Sequence, residues 1–312
     1  MIYTLTPNPA IDLYVGLEQL KADTVNRTYE EDYQPNGKAI NVSFMLKRLG
    51  LANTALGFLG GFSGKFIEDE LEKMEINTSF VHIDGITRIN IFANADKEYK
   101  IVNKGPEVQS EKVKEMLEKI NKLPEKSILF VSGSLPSGVS DNFCIEVAKI
   151  CNKKQIKLVL DISSKVLMDC LNYQPHLIKP NDEELAIFFD LDISEMTESK
   201  IIECSNILLE KGAKQVLVSR GEKGAIYVTH DNLLKVTSPK GVVVNTACAG
   251  DAMLSGFIGK LEQGYSLEKA LRFASAAGAA TAFSKGLGEL SYIESLVSET
   301  KISNLKEEKV NG

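Results

Sequence analysis

Excess positive charge is missing from this 312-residue chain: 36 Lys and Arg stand against 42 Asp and Glu, a net charge of −6. A protein that displaces counterions from nucleic acid needs the opposite balance, so a basic nucleic-acid binder is excluded and no nucleic-acid partner is expected. No apolar run approaches the ~18 residues of a membrane span. The opening stretch MIYTLTPNPAID also lacks the charged head and long apolar core of a signal peptide. A cytoplasmic protein without membrane contact is expected. The five cysteines (Cys144, Cys151, Cys170, Cys204, Cys248) are odd in number and show no C-x-x-C spacing, which argues against a disulfide framework. Three scattered histidines (His82, His176, His230) offer no metal cluster. The phosphate loop G-x-x-x-x-G-K-[ST] is absent, its nearest approach carrying Phe66 after Lys65. Protein-kinase H-R-D and D-F-G strings are missing as well. The first strand leads into Pro7-Asn8-Pro9, where a dinucleotide fold needs a G-x-G-x-x-G turn.

What is present reads as an ordinary globular composition, 44% apolar and 25% charged. Short apolar runs at 2–6, 54–59, 127–131, 157–161, 176–179 and 215–219 alternate with helical patterns at 39–49, 65–74, 111–122, 142–153 and 199–211. That rhythm predicts an α/β fold with a mostly parallel sheet, helices on both faces, and ligands at the strands' carboxyl ends. Two segments, 13–35 and 80–104, break it. The second alternates in period two around D-G and N-A-D-K turn signals, so both are expected to form half-exposed antiparallel strands, a small β lid inserted in one domain spanning 1–312. The polar stretch 299–312 is expected to fray.

The most informative region is 242–264, VVVNTACAGDAMLSGFIGKLEQG. It reads as an apolar strand, then small residues, then a helix entered through Ala249-Gly250-Asp251. Such an entry leaves backbone N–H groups and the positive end of the helix dipole open to an anion. Asp251 at that position is either a helix cap or a base that takes a proton from an attacking hydroxyl, the arrangement of a kinase.

Eight strings in order decide between them: T-L-T-P-N-P-A-I-D at 4–12, V-N-R at 25–27, N-G-K-A-I-N-V at 36–42, T-R-I-N-I at 87–91, V-S-G-S-L-P-S-G-V at 131–139, K-P-N-D-E-E-L at 179–185, S-R-G-E-K-G-A at 219–225 and A-G-D-A at 249–252. With them the chain resembles, end to end, the PfkB group of ribokinase-like carbohydrate kinases. Within that group it is most similar to bacterial 1-phosphofructokinases, with tagatose-6-phosphate kinases nearby. The resemblance implies a three-layer α/β/α sandwich with a β lid that also forms a homodimer contact, and ATP and Mg²⁺ as cofactors. It makes Asp251 the catalytic base and Ala249, Gly250 and Asp251 the anion hole. For the sugar phosphate it implies Asp12, Arg27, Gly37, Lys38, Asn41, Arg88, Asn90 and Ser134, with Arg27, Lys38 and Arg88 placing cations around the phosphate that is not transferred. For the nucleotide it implies Lys179, Ser219, Gly221, Gly224, Ala249 and Gly250, with Ala274, Ala277 and Ser284 on the adenine side. Asp161, Asn181 and Glu184 are expected to meet the metal through water.

Three positions depart from the family pattern. Asn36 and Ala39 stand where glycines are usual, and Cys248 precedes A-G-D in place of another. Ala39 is expected to narrow the sugar site, and Cys248 to stiffen or shift the anion hole. The implied reaction is ATP-dependent phosphorylation of a ketohexose phosphate, fructose 1-phosphate first. Tagatose 6-phosphate or fructose 6-phosphate is the alternative acceptor, and a sugar-phosphate-binding regulator without catalysis the remoter one.

Overall fold

The computed structural model describes residues 1–308. Its centre is an eleven-stranded sheet. From one edge the strands run Ile302–Asn304, Leu233–Val236, Ala225–Val228, Val216–Ser219, Leu177–Ile178, Lys157–Asp161, Ile128–Ser132, Ile2–Thr6, Asn53–Leu59 and Asn77–Thr78, with Val81–His82 also pairing on Asn53–Leu59. Pairing is parallel from Asn77–Thr78 to Val216–Ser219 and antiparallel beyond. Parallel strands need crossover helices, and these cover both faces. Alternation along Ile128–Ser132 shows how: Leu129 and Val131 pack into one buried cluster with Phe143, Leu167 and Ile201, while Phe130 points into another with Leu46, Leu254 and Phe257. This is the three-layer sandwich expected from the rhythm of the sequence. Among the described residues no helix is long and apolar enough to cross a membrane, and the five cysteines are free thiols.

A separate four-stranded sheet, ordered Glu30–Asn36, Ala10–Gly16, Ile89–Asn94, Glu98–Ile101, stands over the carboxyl-end edge as the lid. Its inner pair, Ala10–Gly16 on Ile89–Asn94, is parallel, contrary to the expected antiparallel pattern. The two strands come from distant segments, so no hairpin dictates their direction. Val81–His82 joins the central sheet, so the lid begins later than residue 80. Asp12 correspondingly lies within a lid strand, one residue outside the expected segment 13–35.

Two other expectations fail. Val242, Val243 and Val244 form no strand and are exposed at 83%, 59% and 56%. Residues 302–308 take up regular structure: Ile302–Asn304 adds an antiparallel edge to Leu233–Val236 and a helical turn, Leu305–Glu308, follows. The rest of that stretch, 309–312, lies outside the described residues.

Candidate active site

Asp251 sits in the first turn of the Ala249–Glu262 helix and is 5% exposed. The helix is seated by small residues: a Cβ on Gly256 would lie 3.2 Å from Phe273 and 3.3 Å from Ala277 of the neighbouring Leu267–Ala282 helix. Its cap residue, Cys248, has φ of +62° and contributes no side-chain acceptor. The amides of Gly250 and Asp251, which no carbonyl of their own helix can reach, therefore open toward the cleft with the positive helix end behind them. Burial and the nearby Asp161 charge push the Asp251 carboxyl up to about 7, against the Asn41 hydrogen bond and the charges of Lys38 and Lys179. Asn41 Nδ2 donates to Asp251 Oδ2 at 2.9 Å.

On the lid side a cavity of about 570 Å³ is lined by Asp12, Gly37, Lys38, Arg88, Asn90 and Ser134, with Asn8 and Asn36. Asp12 and Asn90 are register partners on the parallel lid strands, and Asn90 Nδ2 donates to Asp12 Oδ1 at 2.8 Å. Asn36 Nδ2 donates to Asp12 Oδ2. Burial holds the Asp12 carboxyl above its usual range despite those two bonds and the Arg88 charge. Arg88 is held over the cavity rim by the carbonyls of Asn8 (2.8 Å) and Pro9 (3.4 Å). At Gly37, φ is +146° and a Cβ would strike Thr6 Cγ2 at 2.5 Å, so the chain can enter the Lys38–Arg48 helix beside the first strand only without a side chain.

A second cleft of about 940 Å³ holds Lys179, Asn181, Glu184, Ser219, Gly221 and the 249–251 turn. Asp161 ends its strand 1% exposed; its Oδ1 takes Lys38 Nζ at 3.1 Å and Lys179 Nζ at 3.4 Å. Its Oδ2 is buried without a hydrogen-bond partner. Glu184 Oε1 lies 3.6 Å from Lys38 Nζ. Burial works to lower the Lys38 pKa, yet Asp161 and Glu184 hold the ammonium above its ordinary value. Asn181 and Glu184 also form a reciprocal capping box, each side chain accepting from the other's backbone N–H. That box explains their spacing without a metal. Among the described residues no three His, Cys, Asp or Glu side chains are grouped to hold a metal alone. An unpaired Asp161 oxygen beside Glu184 nevertheless fits a hard cation that arrives on phosphates and keeps water ligands.

Lys38 thus points its ammonium at the Asp161–Glu184 pair, although it lines both cavities. Asn41 reaches Asp251 and lines the second cleft. Five expected residues do not line either cavity. Arg27 is exposed on the loop between two lid strands. Gly224 is buried in the turn before Ala225–Val228, where a Cβ would meet Val236 O at 2.0 Å. Ala274 and Ala277 are buried in the helix packing, and Ser284 Oγ donates to Ala280 O at 2.8 Å. Ser275, Gly278, Ala279, Ala282 and Phe283 line the cleft in their place. Ala39 is wholly buried and lines neither cavity, so it does not narrow the sugar site. Sequence reasoning also missed Lys223 and Lys240 at the cleft; Lys223 stands inside S-R-G-E-K-G-A, whereas nothing around Lys240 singles it out.

A model of the pfkB family carbohydrate kinases matches residues 6–293. The chain belongs to that family. It is a carbohydrate kinase, a phosphotransferase with a hydroxyl acceptor, on the ribokinase-like fold. It is 55% identical over 305 residues to a D-tagatose-1-phosphate kinase from Bacillus licheniformis, covering 98% of this chain and 100% of the relative. It is 36% identical to a 1-phosphofructokinase from Bacillus subtilis, with the same two coverages. Phosphofructokinase-2 from Escherichia coli in complex with fructose-6-phosphate superposes with a TM-score of 0.87 at 26% identity, covering 96% of this chain and 98% of that one. The pfkB kinase described here therefore matches full-length relatives from end to end.

Proposed function

We propose that this kinase transfers the γ-phosphoryl group of ATP to the C6 hydroxyl of a ketohexose 1-phosphate in the cytoplasm. The single observation that carries the reading is Asp251, a buried carboxylate with a raised pKa at the open start of a helix, lining the second cleft and bonded to Asn41. The acceptor oxygen bonds to the γ-phosphorus, the bridging oxygen leaves with ADP, and the acceptor proton passes to Asp251. A base that titrates near neutral pH is matched to that task. The Gly250 and Asp251 amides face the charge that spreads over the transferring group, with Lys179 Nζ 3.1 Å from where a Gly250 side chain would begin. Mg²⁺ bound to the nucleotide phosphates would lie near Asp161 and Glu184 and offset phosphate charge. Asp12 and Asn90 would hold sugar hydroxyls, while Arg88 faces the phosphate that stays.

Both curated relatives carry a ketohexose 1-phosphate in their names, and the more similar is the tagatose 1-phosphate enzyme. We therefore rank tagatose 1-phosphate, an acceptor outside those the motifs suggested, ahead of fructose 1-phosphate. Exposed Tyr33, Ile101 and Val102 on the lid support a homodimer through that sheet. Arg27, outside the cleft of its own chain, would then reach the phosphate of the neighbouring subunit. ADP release with tagatose 1-phosphate, fructose 1-phosphate, tagatose 6-phosphate and fructose 6-phosphate tests the reading. A 1-phosphate is expected to give the highest kcat/KM; a 6-phosphate or an unphosphorylated sugar in first place overturns it.

A further inference from the structure

Asn36 closes the lid strand Glu30–Asn36 and lines both cavities. Every polar atom of its amide is engaged. Nδ2 donates to Asp12 Oδ2, and Oδ1 accepts from the Gly37 N–H and, at 3.2 Å, from Asn41 Nδ2. Asn41 Nδ2 in turn donates to Asp251 Oδ2 at 2.9 Å and lies 3.0 Å from Cys248 Sγ. An unbroken series of four side chains, Asp12, Asn36, Asn41 and Asp251, therefore joins the lid carboxylate to the catalytic carboxylate, and Asn36 is its second member.

Two consequences follow from counting donors and acceptors. A carboxylate offers about two acceptor directions per oxygen. Asn36 fills one on Oδ2 of Asp12 and Asn90 one on Oδ1, so the carboxylate cannot turn to follow a displaced hydroxyl. Asn41 Nδ2 has two hydrogens for three acceptors, Asp251, Cys248 and Asn36. With Asn36 absent, the second hydrogen has Cys248 alone to turn toward. Backbone strain does not call for asparagine here, since residue 36 is not among the non-glycine residues with positive φ.

We propose that Asn36 is a specificity-determining and positioning residue: it locks Asp12 so that the site distinguishes hydroxyl configuration on the ketohexose phosphate, and through Asn41 it keeps Asp251 aligned. This rests on the acceptor class proposed above.

The test uses tagatose 1-phosphate and fructose 1-phosphate, which differ only at C4, with the full chain and its Asn36→Gly and Asn36→Asp variants. In Asn36→Gly the ratio of the two kcat/KM values is expected to contract roughly tenfold, the equivalent of one hydrogen bond to a charged group at about 1.4 kcal/mol. kcat should fall for both acceptors, while KM for ATP stays within about twofold. Asn36→Asp keeps the acceptor oxygens but sets a second carboxylate against Asp12 and, across Asn41, toward Asp251; like charge raises the pKa of both neighbours, and the optimum of kcat/KM is expected to move about one unit toward higher pH. A purely structural role would not move that optimum. An acceptor ratio unchanged within about twofold in a glycine variant that still binds ATP normally overturns the inference. Should the glycine variant fail to fold, an unshifted optimum in Asn36→Asp overturns it instead. If the unaltered protein phosphorylates neither acceptor, the acceptor class fails, which is a different result from equal discrimination before and after substitution.

Discussion

The side-chain amide of Asn41 donates to Asp251 Oδ2 at 2.9 Å across 210 residues of sequence, tying the start of the Lys38–Arg48 helix to the start of Ala249–Glu262. This bond favours the ionised form of a carboxylate that burial and Asp161 disfavour. Removing it by Asn41→Ala should raise the Asp251 pKa further, so the acidic limb of the kcat profile moves to higher pH. A shift of about one unit, with about a fivefold loss at pH 7, is the scale of one such bond. Steady-state rates from pH 5.5 to 9, a range spanning about two units either side of that pKa, measure it.

Asp251→Asn should nearly abolish turnover while stabilising the fold at alkaline pH. Between the ordinary carboxyl value of 3.8 and about 7, the folded chain holds a proton that the unfolded chain has released. Stability therefore falls as pH rises through that window and stays lower above it. The neutral amide escapes this loss. Thermal melts at pH 8 should show the variant a few degrees above the unaltered protein, at roughly 2–4 °C for each kcal/mol. At pH 4 the two melts should converge.

Lys38→Met should be more damaging than an exposed lysine substitution. Lys38 pairs with both Asp161 and Glu184, and Asp161 already carries one buried oxygen without a partner. Leaving Asp161 with Lys179 alone and removing the Glu184 ion pair is expected to cost about 3 kcal/mol, read by denaturant titration. The same change strengthens repulsion on Asp251 and should carry its pKa upward.

Gly37→Ala should lose about 1–3 kcal/mol and most acceptor binding, because the added methyl meets Thr6 Cγ2 at 2.5 Å and the backbone at +146° disfavours any side chain. KM for the sugar phosphate should rise more than KM for ATP.

Mixing Arg27→Ala with Asp251→Asn subunits tests the shared site. If Arg27 serves the neighbouring subunit, a mixed dimer contains one site with neither defect, and activity should reappear from two nearly inactive parents. No recovery in a dimer shown to have exchanged subunits assigns Arg27 to its own chain or to no site.

Much of this arrangement was legible from residue order. Ile2–Thr6, Lys157–Asp161 and Asn142–Lys153 fall where their patterns place them, because continuous apolar runs and a strong helical period leave little freedom. The cleft face of Leu267–Ala282 was misjudged: Ser275, Gly278 and Ala282 line it, while Ala274 and Ala277 are buried. In FASAAGAATAF nearly every residue is small, so periodicity gives no phase, and a one-residue error rotates the face by about 100°. Val242–Val244 failed for a different reason. Three β-branched residues read as a strand, but no partner edge reaches them, and propensity without pairing does not make a sheet. Asn36 read only as a departure from the usual glycine; its bond to Asp12 depends on strands that meet only in the folded lid.

Asn36 and Lys38 each border both hollows, so the two are divided by a partition only a side chain or two thick, and under the proposed function that partition separates donor from acceptor. A single molecule carrying a hexose phosphate at one end and a nucleotide at the other needs just a short tether to occupy both at once. Such a bisubstrate compound would gain from high effective concentration what neither half has alone, and would block either order of substrate entry.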